Sequence, residues 1–138
     1  MAKTSTAISP AELTVLKVLW NLSPLTVREV CDTLASQRQD WAYTTVQTLL
    51  NRLVTKGAVK RNPEGLAHRY APAVSRSRLL ASRLKDLAEQ VCDGAASPLL
   101  SALVDTHEFT PEELAGFRDL LDQQQQHHAN KKPRKRTR

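Results

Sequence analysis

Two cysteines, four glycines and six aromatic residues in 138 leave several classes of protein without their materials. A disulfide-stapled domain or a zinc site needs cysteines grouped with one another or with histidine, and Cys31 and Cys92 stand far apart with no Cys-x-x-Cys between them. They are expected to be buried, inert thiols. Four scattered glycines build no phosphate-cradling loop, and His68, His107, His127 and His128 never meet a Ser, Cys or carboxylate at a recognisable catalytic spacing. No enzyme, cofactor or metal is expected. There is no apolar run near the 18 or so residues of a membrane helix, and Met1 to Ser5 lead into no hydrophobic signal core. The expectation is a cytoplasmic protein without membrane insertion. With aromatics at only 4%, the core has to rest on Leu, Val and Ala, which favours a mainly α fold.

What the sequence does have is positive charge, +6 overall, unevenly spread. Residues 1–42 balance, whereas residues 43–71 set Arg52, Lys56, Lys60, Arg61 and Arg69 against Glu64 alone. Residues 72–126 carry five basic and nine acidic groups, and the tail from His127 to Arg138 holds six Lys and Arg and no acid. A basic stretch, an acidic helical stretch and a basic tail suggest three separate roles.

Ser9-Pro10-Ala11-Glu12 opens a first helix with a capping box, and Ser23-Pro24 ends it. Thr26-Val27-Arg28-Glu29 opens a second, with Val27, Val30, Cys31 and Leu34 on one face. Thr44 and Gln47 suggest a cap for a third, whose Val46, Leu49, Leu50 and Leu53 face inward and which Gly57 closes. Ala58–Arg61, a turn at Asn62–Gly65, and Leu66–Ala71 then predict a basic hairpin. Three helices and a hairpin in this order are the pattern of a winged helix-turn-helix.

Further helices follow. Leu80, Leu84, Leu87 and Val91 form a seam like that of a coiled coil, and Asp93-Gly94 ends it. Ser97-Pro98 opens a short helix carrying Leu99, Leu100, Leu103 and Val104, and Thr110 to Glu113 open a last one carrying Leu114, Phe117, Leu120 and Leu121. Such helices need a second copy to bury their apolar faces, so these residues are the expected dimerisation surface. The organisation expected is a disordered N-terminus over 1–8, a winged-helix DNA-binding domain over 9–74, a helical dimerisation module over 75–124 and a disordered basic tail over 125–138. The tail attracts phosphates without regard to sequence, or serves only solubility.

Opposite its buried row the third helix carries Thr44, Gln47, Thr48, Asn51, Arg52 and Thr55, with Thr45 beside them and no carboxylate. Short hydroxyls permit close approach to a groove, Asn and Gln pair with adenine, and Arg pairs with guanine or a phosphate. Gln47 has an alternative role as capping partner of Thr44. Lys56, Lys60, Arg61 and Arg69 are placed for phosphates. Tyr43 is either a phosphate donor or a ring packed with Trp41, and His68 is a packing or phosphate-contact residue.

The run Trp41 to Gly57, with Glu64-Gly65 and His68 to Pro72, closely resembles the penicillinase repressor family, the BlaI/MecI type. The likeness includes Leu16 to Trp20 and Thr26 to Val30, and reaches more weakly through Thr110 to Leu121. It implies a homodimer that occupies a palindromic DNA operator and blocks transcription, released by a signal that in some members comes from a sensor or protease. Members controlled by a membrane sensor protease are cut at an Asn-Phe bond, where this chain has Ser101-Ala102, and copper-responsive members end in clustered cysteines, which are absent after Cys92. The competing interpretation is a basic-tailed adaptor or RNA-associated protein with a structural helical body.

Overall fold

The computed structural model describes residues 7–131. Its elements are α1 (Pro10–Leu22), α2 (Val27–Ser36), α3 (Tyr43–Thr55), β1 (Val59–Glu64), β2 (Ala67–Pro72), α4 (Arg76–Val91), α5 (Ser97–Thr106) and α6 (Pro111–Lys131). They fall into two compact units that divide after Gly94.

In the first unit, Ser9 and Glu12 exchange backbone N–H bonds at the head of α1, and Thr26 and Glu29 do the same at the head of α2. These reciprocal bonds occupy donors that a helix start otherwise leaves bare. Val15, Leu16, Val18 and Leu19 of α1 meet Val30 and Leu34 of α2 and the Val46, Leu49, Leu50 and Leu53 row of α3 in one core. Each fully buried Leu contributes about 1.5–3 kcal/mol. The hairpin pairs Val59 with Pro72 through Glu64 with Ala67, and Leu25 adds an antiparallel bridge to Tyr70 on the other edge of β2.

The termini of these elements show why the chain turns where it does. After α3, Gly57 at φ +83° donates to the Val54 carbonyl and Ala58 donates to that of Leu53, the paired bonds of a Schellman ending. After α2 the same pair of bonds runs from Arg38 to Ala35 and from Gln39 to Leu34, with Arg38 at φ +68° where Gly57 has its glycine. The Trp20 indole donates to the Val74 carbonyl at 2.9 Å, and the Arg76 guanidinium stacks 5.2 Å from that ring, so α4 leaves the hairpin at a pinned point.

Several expectations need correcting. The hairpin turn is Gly65-Leu66, with Asn62 and Pro63 inside β1; Pro63 is tolerated because β1 is an edge strand. The cap of α3 is Ala42 and makes no side-chain bond, so Thr44 and Gln47 form no capping box. α5 does open at Ser97-Pro98 as expected, after an N-cap, Ala96, that makes no side-chain bond. Ile8, expected in a disordered segment, is buried in the core, and α6 continues through residues 125–131. Gln123 to Gln126 are good helix formers, which explains the extension. The rest of the expected disordered segments, 1–6 and 132–138, lies outside the described residues. Leu79 is buried against the winged helix and Arg83 donates to the Ile8 carbonyl at 3.0 Å, so α4 groups with the first unit rather than opening a module at 75. Cys31 and Cys92 are only half-buried, and burial raises the Cys31 thiol above its usual value. Among the described residues no helix is long and apolar enough to cross a membrane.

Candidate nucleic-acid interface

The outward face of α3 is built by its buried row. With Val46, Leu49, Leu50 and Leu53 in the core, Tyr43, Thr44, Thr45, Gln47, Thr48, Asn51, Arg52 and Thr55 are all exposed. Because no side chain of this face is spent on capping, Thr44 and Gln47 keep their polar groups for a ligand. A groove of about 300 Å³ runs past Thr48, Asn51, Arg52, Thr55 and Lys56.

The cations expected around this face divide into two groups. Lys60 and Arg61 are exposed on β1, and Arg61 donates to Asn51 Oδ1 at 3.1 Å. Lys56 instead turns inward, donating to the Ala7 carbonyl at 2.7 Å and to the carboxylate of Glu12. Glu12 is only 2% exposed. Burial alone would raise its carboxyl, but the Lys56 hydrogen bond, the Ser9 N–H and the nearby charges of Lys56 and Arg52 hold it below the usual value. Arg69 is likewise committed, to Glu29 and Glu64 at 3.2 Å each. That pairing removes the hairpin's single carboxylate from competition with a phosphate. Glu29 is held low chiefly by the Thr26 N–H.

At the entrance to α3, Arg28 of α2 lies 5.4 Å from the centre of the Tyr43 ring. Trp41, the other candidate neighbour of Tyr43, packs on the core. Arg28 is thus a cation beside the interface that sequence reasoning missed; its only signal was its exposed position in the first turn of α2. His68 faces outward on β2 opposite Pro63. Among the described residues no three metal-capable side chains cluster.

The outward face of α3 is thus rich in Thr, Asn and Gln, free of acid and flanked by a basic wing, and the family model that matches residues 8–123 of the same chain is that of the penicillinase repressor. The chain belongs to the penicillinase repressor family. The transcriptional regulator BlaI of Mycobacterium tuberculosis is 37% identical over 93% of this chain and 92% of its own length. The penicillinase repressor of Bacillus licheniformis is 29% identical over 91% of this chain and 94% of its own. Among solved structures, the DNA-binding domain of the repressor BlaI is 38% identical over 56% of this chain and 93% of its own, with a TM-score of 0.49. As a penicillinase repressor family member the chain is a winged-helix, DNA-binding transcriptional repressor and not an enzyme.

The residues expected to pair two such repressors are solvent-facing within each unit. On α4, Leu80, Leu84, Leu87 and Val91 are exposed, between 43% and 69%. In the second unit Leu100, Leu103, Leu114, Phe117, Leu120 and Leu121 are exposed and Leu99 is half-buried.

Proposed function

We propose that the chain represses transcription as a homodimer on a palindromic operator, with α3 in the major groove and the β1–β2 wing on the backbone. The observation that carries the DNA-reading half is the acid-free outward face of α3. Thr44, Thr45, Gln47, Thr48, Asn51 and Arg52 would reach base edges, while Tyr43 and Lys60 would reach phosphates. Lys56 and Arg69 act by holding that surface in place. The dimer half is supported by the row of exposed apolar residues on α4, α5 and α6, which a soluble monomer does not ordinarily leave bare. A sensor, protease or other signal that releases repression would act by separating these helices.

Selection from a randomised duplex library, followed by footprinting, tests both halves. The expected result is a sequence with two-fold symmetry whose half-sites sit about 34 Å apart or at a multiple of that. A preferred sequence without symmetry would remove the dimer, and the absence of any preferred duplex would remove specific reading altogether.

A further inference from the structure

Arg61 on the wing donates a hydrogen bond to Asn51 on the outward face of α3. In the ladder it stands opposite Tyr70, so the two side chains leave the hairpin on the same face. Tyr70 goes into the core, and Arg61, one step nearer the turn on its own strand than Lys60, reaches across to Asn51. Among the described residues no carboxylate lies within ion-pair distance of Arg61, since Glu64, on its own strand, is taken by Arg69. Its guanidinium therefore spends a donor on a neutral amide.

The bond has a chemical consequence for Asn51. Arginine only donates, so the atom it meets is the amide oxygen, and the amide nitrogen with its two hydrogens is turned away from the wing. An unrestrained Asn offers either end of its amide to a base. One held by its oxygen offers chiefly donors, which suit the acceptor edges of adenine, guanine or thymine and clash with the N4 amino group of cytosine.

We propose that Arg61 is a specificity-determining residue that acts through Asn51, fixing its amide as a hydrogen-bond donor towards the major groove. This rests on the reading of α3 as the base-contacting helix. Arg61 would be a positioning residue for base reading, distinct from a phosphate contact that strengthens every duplex alike.

The test uses the full chain and its Arg61→Ala, Asn51→Ala and doubly substituted forms. In free protein, Arg61→Ala should shift the Asn51 side-chain amide signals in an NMR spectrum, and unmoved signals would overturn the contact itself. In duplex selection, wild type should disfavour cytosine at one position of each half-site by about tenfold. Arg61→Ala and Asn51→Ala should each lose that preference at the same position, and the double form should lose no more than either. If Arg61→Ala weakens operator and random duplex equally, lowering the salt slope by about 0.9, Arg61 is a phosphate contact and the proposal is overturned. If wild type itself selects no sequence, the failure belongs to base reading by α3, and the proposal falls with it.

Discussion

Lys56, at the end of α3, donates from Nζ to the Glu12 carboxylate at the start of α1, across 44 positions of sequence and at 2.5 Å. The same carboxylate accepts the N–H of Ser9, so the cap of one helix and the tail of another share one buried anion. Lys56→Met leaves that anion buried without its cation and should cost about 3 kcal/mol. Thermal melting checks the loss.

A contrast with Lys60 separates anchoring from DNA contact. Lys60→Met should leave melting unchanged and lower the salt slope of DNA binding by about 0.9, whereas Lys56→Met should leave the slope alone. Equal falls in the two slopes would place Lys56 on a phosphate.

Acid should loosen the first unit through the same carboxylate. Glu12 has a folded value below its unfolded one, so its contribution is complete above the unfolded carboxyl value and is lost as pH falls through the folded one. Glu12→Gln should lower stability at neutral pH and flatten the acid limb of a stability profile. An acid limb as steep as that of wild type would assign the dependence to other groups.

Arg38 offers a gain. It occupies the left-handed position of a Schellman ending at φ +68°, which Gly57 fills at +83° after α3. Arg38→Gly should stabilise the first unit by about 1 kcal/mol, raising Tm by about 4 to 8 °C. No change in Tm would mean that the strain is relieved elsewhere.

Leu84→Lys places a charge in the exposed seam of α4. If the proposed homodimer pairs through α4, helical content should persist while the solution mass falls to that of one chain, and affinity for a full palindrome should drop towards that of a half-site. Retention of the dimer would move the pairing surface to α5 and α6.

What the sequence disclosed follows the range of the interaction. The boxes at Ser9 and Thr26 join residues three apart, and the core rows of α1, α2 and α3 repeat every three or four, so both are visible in a short window. Thr44-Thr45-Val46-Gln47 misled because a capping box and the interior of a helix share that spelling, and only the start of α3 at Tyr43 separates them. Asn62-Pro63 misled in the same way, since a proline on an edge strand looks like a turn until the partner strand is present. Glu12 with Lys56, Glu29 with Arg69 and Asn51 with Arg61 join residues 44, 40 and 10 positions apart, and no periodicity announces such polar partners. The outward residues of α3 were legible because the buried row dictates them. Which cations stay free to meet a phosphate depended on the fold.

The Trp20 hydrogen bond to Val74, the buried Leu79 and the Arg83 bond to the Ile8 carbonyl together set the direction in which α4 leaves the first helices. Helix α4 spans 16 residues, a lever of about 24 Å, so a swing of about 10° at its root moves its far end by about 4 Å. One base-pair step of DNA is about 3.4 Å. For two chains joined through α4 and seated on one duplex, the firmness of these three anchors would thus set whether both recognition helices stay in register or one slips a step.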